Sequence, residues 1–117
     1  MRATKIVTNL PVSNIDGAKA FYQEFLGLSE EEFNLGWVAR FTEPSSGASV
    51  QLVTGDETSP EDSAMSVMVD DVEAAYEEAV ARSYDIVHAL TTEPWGVRRF
   101  LVRSPDGTVV NIVHDHS

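Results

Sequence analysis

The chain repeats itself, and that repeat limits what it can fold into. Val12-Ser13-Asn14-Ile15-Asp16 is answered 57 residues later by Val69-Asp70-Asp71-Val72-Glu73. Gln51-Leu52-Val53 is answered 60 residues later by Asn111-Ile112-Val113, and Gly47 by Gly107 at the same spacing. The three-residue drift is one small insertion. Each half reads as a strand, a helix, then two or three strands. A half of about 58 residues is small for a stable fold of its own, so the two are expected to form one domain together. The expected halves are residues 1–55 and 64–117. The polar, acidic stretch 56–63, which carries Pro60, is the expected linker.

Local signals fill in each half. Lys5 to Val12 is short, apolar and partly β-branched, and predicts the first strand. Ser13 or Asn14 can cap a helix, with Asp16 near its positive end. Ile15, Ala18, Phe21, Tyr22, Phe25 and Leu26 follow at helical spacing, and Gly27 stands where a C-terminal glycine belongs. Phe21, Tyr22, Phe25 and Tyr76 are therefore expected in the core. Glu30-Glu31-Glu32 is expected as a solvated loop. Strands are predicted over 36–43 and 48–54, turning at Pro44-Ser45-Ser46-Gly47. In the second half, residues 64–69 predict a strand. Asp70 or Asp71 caps a helix with an apolar stripe of Val72, Ala75, Tyr76, Ala79 and Val80. Residues 86–90, 97–103 and 108–113 predict strands, the last two joined by Ser104-Pro105-Asp106-Gly107. The fold class is α+β. Two βαβββ modules would form curled, mixed or antiparallel sheets around a cavity, with the helices outside.

Composition narrows the chemistry. The chain of 117 residues has 8 Lys and Arg against 19 Asp and Glu, a net charge of −11. Such a surface repels a phosphate backbone or an anionic membrane and attracts cations. No nucleic acid or membrane partner is expected. There is no cysteine, which removes disulfides and thiolate chemistry and makes the cytoplasm the expected compartment. The N-terminal residues lack the apolar run of a secretory signal.

The motifs carry a family resemblance. Leu10-Pro11-Val12-Ser13-Asn14 leads to Ala20-Phe21-Tyr22 and Phe25-Leu26-Gly27-Leu28. Met68-Val69-Asp70-Asp71-Val72 opens the second module, and Ser104-Pro105-Asp106-Gly107 closes it. Across the whole chain this resembles the vicinal oxygen chelate superfamily of glyoxalases, extradiol dioxygenases, fosfomycin resistance enzymes and bleomycin resistance proteins. Pro94-Trp95-Gly96 followed by Phe100, with the small size and acidic balance, is most similar to the bleomycin resistance branch. Metal-dependent members carry one ligand on each of four strands. Placing their motifs here assigns those positions to Val7, Gln51, Ala64 and Asn111. Two are apolar and two are neutral amides, a poor set for a divalent ion. No metal, no other cofactor and no catalytic residue is therefore expected.

The resemblance instead implies metal-independent binding of a small, cationic and partly aromatic molecule, such as a bleomycin-type antibiotic, without turnover. Two alternatives remain. One is a glyoxalase- or dioxygenase-like enzyme acting on a small carbonyl or aromatic metabolite through His88 or a carboxylate. The other is a non-catalytic metabolite binder. The ligand-binding candidates are Phe33, Trp37, Arg40, Gln51, Trp95, Arg98, Phe100 and Asn111. Trp37 and Trp95 suit stacking or cation–π contact, or else they plug sheet edges or a dimer contact. A tight turn at Pro105-Asp106 would set Asn111 opposite Phe100, with Arg98 and Val102 on the same face. By analogy Arg40 would oppose Gln51. Arg98 and Arg99 are expected to pair with nearby acids. His88 is expected on an exposed edge strand, and His114-Asp115-His116 in a solvated tail. A homodimer is expected, because half-barrels leave sheet edges to cover.

Overall fold

The structure is a computed structural model, and it describes residues 1–115. His116, the second histidine of the expected tail, lies outside the described residues. The fold is α+β, with eight strands and two helical segments among the described residues. The strands are β1 (Ala3–Pro11), β2 (Glu30–Asn34), β3 (Val38–Thr42), β4 (Ser49–Val53), β5 (Met65–Val69), β6 (Asp85–Thr92), β7 (Arg98–Arg103) and β8 (Val109–His114). Helix α1 runs over Ile15–Lys19 and continues as a wider π-wound turn over Ala20–Phe25; α2 is Val72–Ala81. The chain divides into two compact units, Val7–Glu57 and Met1–Ile6 with Thr58–Ser117. This division differs from the repeat boundary. The start of β1 and the segment from Thr58 onward group with the second module.

In the Val7–Glu57 unit the strand order is β2-β3-β4-β1. β1 and β4 are parallel; the other neighbours are antiparallel. Asn14 caps α1, its side chain accepting from the Gly17 amide at 3.1 Å. Ile15, Leu28, Ala39, Phe41 and Leu52 form the buried core under the helix, with Ala18 and Tyr22 packed against it. Phe21 and Phe25 do not join this core. They are 53% and 76% exposed. The π-wound turn is the reason. The Leu26 amide reaches back five residues to the Phe21 carbonyl, so the apolar side chains no longer repeat at 3.6. Gly27, at φ +76°, then reverses the chain. Glu30-Glu31-Glu32, expected as a loop, begins the edge strand β2. Its acids remain exposed and are drawn to Lys19 and Arg40.

The other unit repeats this plan, with order β5-β8-β7-β6 and β5 parallel to β8. Asp71 caps α2 by accepting from the Ala74 amide at 3.0 Å. Val67, Val69, Val72, Ala75, Ala79, Phe100, Val110 and Ile112 make the core beneath α2. Tyr76 packs edge-on to Phe100, with ring centroids 5.0 Å apart. Val80, expected in the buried stripe, is exposed at the far side of the helix.

Candidate functional site

The helix covers one face of each unit's strands, and the polar candidates cluster on the opposite face. In the Val7–Glu57 unit, register places Arg40 opposite Gln51 and Gln51 beside Asn9. The Gln51 amide oxygen accepts from Arg40 Nε at 3.0 Å and Nη2 at 2.8 Å, and Gln51 Nε2 donates to Asn9 Oδ1 at 2.6 Å. Arg40 Nη1 donates to Glu32 at 3.2 Å. The guanidinium lies over the Phe33 ring, 4.9 Å from its centroid. Arg40 thus opposes Gln51 as expected, and Phe33, Asn9 and Glu32 join them. Trp37 is half-buried before β3, its carbonyl accepting from the Thr54 amide at 2.8 Å.

In the second unit the expected facing is corrected. Asn111 pairs with Leu101, not Phe100. The hairpin closes through Ser104–Thr108, with Ser104 accepting from Gly107 and donating to Thr108 along the backbone. Gly107 takes φ +94°. The two-residue turn that would align Phe100 with Asn111 does not form, and a one-residue change of register reverses every side chain. Phe100 and Val102 therefore face α2, and Arg98 reaches Glu73 on that helix. Asn111 instead shares its face with Arg99 and Leu101, and its Nδ2 donates to Ser66 at 3.1 Å.

Arg99 pairs with an acid as expected, and it anchors a second polar cluster whose other members the sequence did not single out. Its Nη2 donates to Glu93 Oε2 at 3.0 Å and to Thr58 Oγ1 at 2.8 Å, and Thr58 donates to the same Glu93 oxygen at 2.8 Å. The Arg99 and Glu93 side chains are 4% and 5% exposed. Trp95 lies against this pair, its ring 5.3 Å from the Arg99 guanidinium carbon. His88 Nε2 is 3.4 Å from Glu93 Oε1. His88 is half-buried on this face rather than exposed. Simple alternation would put it with Ile86 and Leu90, which pack toward α2. An irregularity in the ladder between Ile86 and His88 aligns it with Leu101 instead. The signal available in the sequence was Glu93 two residues before Trp95, with Arg99 four beyond.

The family's metal positions can be tested on these contacts. Val7 is fully buried, and Ala64 is exposed and precedes β5. The cross-strand neighbours of Gln51 and Asn111 are Asn9 and Ser66. Every one of these donors is neutral, and Gln51 already holds a guanidinium on its oxygen. A divalent cation would meet the Arg40 guanidinium, and the carboxylate beside it, Glu32, is already paired with that guanidinium. The residues do not fit a metal. Among the described residues no group of three or more His, Asp or Glu is placed to hold one. Most of the chain's cations are paired: Arg2 with Asp70, Lys19 with Glu31, Arg82 with Glu78, and Arg103 with Glu61 and Asp85. Arg103 holds Glu61 below the usual carboxylate range and is itself raised. The surface surplus is acidic.

These features have known counterparts. The profile described as Glyoxalase/Bleomycin resistance protein/Dioxygenase superfamily matches residues 6–112, and the chain belongs to that superfamily. Comparison with curated proteins finds no match. Among solved structures, a glyoxalase/bleomycin resistance protein/dioxygenase superfamily member from Vibrio splendidus 12B01 is 23% identical. That match covers 95% of this chain and 97% of the other, with a TM-score of 0.66. An uncharacterised protein from Methanosarcina mazei is 22% identical over 97% of this chain and 94% of its own, with a TM-score of 0.69. A Legionella pneumophila structure described as an NAD-dependent benzaldehyde dehydrogenase is 18% identical over 94% and 98%, with a TM-score of 0.75. At these identities the likeness is one of fold: the glyoxalase/bleomycin resistance fold expected from the sequence. No helix among the described residues is long and apolar enough to cross a membrane.

Proposed function

We propose that this protein binds a small, planar, cationic molecule without a metal and without turnover, as a bleomycin-type sequestering protein would. The observation that carries the reading is Gln51. Its amide oxygen is taken by two N–H groups of Arg40, at a position where metal-dependent relatives need a free ligand. Phe33 and Trp95 offer aromatic surface beside arginines whose charge is offset by Glu32 and Glu93. The net charge of −11 favours capture of a cation. Taken unit by unit, the proposed contacts are Phe33, Trp37, Arg40 and Gln51 in the Val7–Glu57 unit, and Trp95 and Asn111 in the other. Arg98 and Phe100 face α2 and are not among these contacts. The reading includes a cytoplasmic location and a homodimer, for which light scattering should give twice the 12.8 kDa chain mass.

The test is a thermal-shift titration of chelator-treated protein with bleomycin at low and moderate salt. Ligand at 100 times its Kd stabilises a fold by about 2.7 kcal/mol, which raises Tm by several degrees. A saturable rise that weakens with salt is expected. No rise at high bleomycin overturns the reading.

A further inference from the structure

We propose that His88 is a proton-operated control on the Trp95 ring, acting through the buried Glu93–Arg99 pair. The four side chains form one run of contacts. His88 Nε2 faces Glu93 Oε1 at 3.4 Å, Glu93 Oε2 accepts from Arg99 at 3.0 Å, and the Arg99 guanidinium lies 5.3 Å from the Trp95 ring centroid. Thr58 fixes the centre of this run by bonding both Glu93 and Arg99. The ladder irregularity between Ile86 and His88 turns the imidazole onto this face. With 21% of its side chain exposed, His88 remains open to protons from solvent, whereas Glu93 and Arg99 are enclosed.

The charges around the imidazole define what a proton does. β7 contributes Arg99 and, at the far end of the β6–β7 ladder, Arg103. Arg103 is held by Asp85 of β6 and Glu61. The segment before β5 contributes Thr58 and Glu61, and also carries Asp56 and Asp62. The charges of α2, Glu73, Glu77, Glu78 and Arg82, belong to a helix packed over the Phe100 face of the sheet. Glu93 is the carboxylate in contact with the ring. A neutral His88 leaves Glu93 to Arg99 and Thr58. A protonated His88 becomes a second cation on the same carboxylate, which loosens its hold on Arg99 and adds positive charge beside Trp95. In so enclosed a cluster that charge is weakly screened. Acidification is the direction that engages the control, because it is the charged imidazole that competes for Glu93. For a ligand the consequence rests on the binding reading above: a cation stacked on Trp95 is held at neutral pH and released on acidification.

The experiment uses the full chain with Trp37→Phe, so that Trp95 is its one indole. Its emission is followed from pH 8 to 5 without ligand. A sigmoidal shift of the emission maximum is expected, and its loss in Trp37→Phe/His88→Gln. Absence of a transition, or one that survives His88→Gln, overturns the proposal, since His114 or His116 would then be its source. Should His88→Gln melt well below its parent at pH 8, NMR of the Trp37→Phe protein decides. The His88 imidazole and the Trp95 indole N–H must then titrate with one midpoint, and separate midpoints overturn the proposal. A second arm measures bleomycin affinity in the protein that keeps Trp37, with and without His88→Gln. It should fall by about fivefold or more between pH 8 and 5.5, the low end of ordinary coupling between sites, and His88→Gln should abolish that fall. Bleomycin binding that is equally tight at both pH values overturns the control. Absence of bleomycin binding at every pH overturns the functional reading instead, while the ligand-free emission still judges His88.

Discussion

Arg40 and Arg99 occupy comparable strands of the two modules, each on the face away from the helix and each against an aromatic ring, yet they are held in opposite ways. Arg40 is partly exposed at 18% of its side chain, and its nearest acceptor is the neutral oxygen of Gln51. Arg99 is 4% exposed, and its acceptor is a buried carboxylate. A cation near solvent keeps part of its hydration and tolerates a neutral partner. A cation removed from water needs a compensating charge. The same face of comparable strands has therefore become a half-open polar surface in one module and a closed ionic cluster in the other.

Breaking each cluster should expose this difference. Glu93→Ala leaves Arg99 buried without its carboxylate and should cost about 3–5 kcal/mol, read as a fall in Tm of more than about 10 °C. Replacing both residues, Glu93→Leu with Arg99→Met, should recover most of that loss. Recovery of nothing would mean the pair does more than neutralise itself. Arg40→Ala should be milder, about 1–3 kcal/mol in urea unfolding, because it leaves a neutral buried acceptor on Gln51 rather than an unpaired buried charge. Equal costs for Arg40→Ala and Glu93→Ala would erase the contrast.

The two helix caps sharpen the comparison from the other side, because here the modules should behave alike. Asn14→Ala and Asp71→Ala should each cost about 1 kcal/mol. The Asp71 effect should shrink with salt, since its charge also meets the helix dipole, and the Asn14 effect should not. The smallest effect lies in the β3–β4 turn. Hydrogen bonds from Ser45 and Ser46 hold the exposed Glu43 carboxyl down to about 2. Its folded value is depressed, so its contribution is present above the ordinary 4.5 and lost as pH falls through about 2. Glu43→Gln should flatten the acid limb of stability in that window and leave stability near pH 7 little changed in slope.

Much of the fold was legible from local chemistry. The caps at Asn14 and Asp71, the turn glycines and the apolar stripe of α2 act within a few residues, and the repeat reported each of them twice. The pairing of Arg40 with Gln51 was expected by analogy with the second hairpin, and the register of β3 and β4 has it. Three features did not follow. The π-wound turn put Phe21 and Phe25 outside, because helix winding changed in mid-segment. The Ser104–Thr108 loop moved Phe100 and Arg98 to the α2 face, because hairpin register depends on loop length. The ladder irregularity at His88 brought it to Glu93.

By itself the sequence determined the two-module order, the superfamily and the neutral character of the expected metal positions, since these depend on residue identity and spacing. Only the tertiary structure decided which side chains share a face and which charges lose their water. Alternation along a strand has a period of two, so one residue gained or lost in a turn or bulge reverses every assignment beyond it. Burial, in turn, is set by what packs across from a residue, not by its neighbours in the chain. Glu93 and Arg99 are six positions apart, and nothing in those six residues states that both are enclosed.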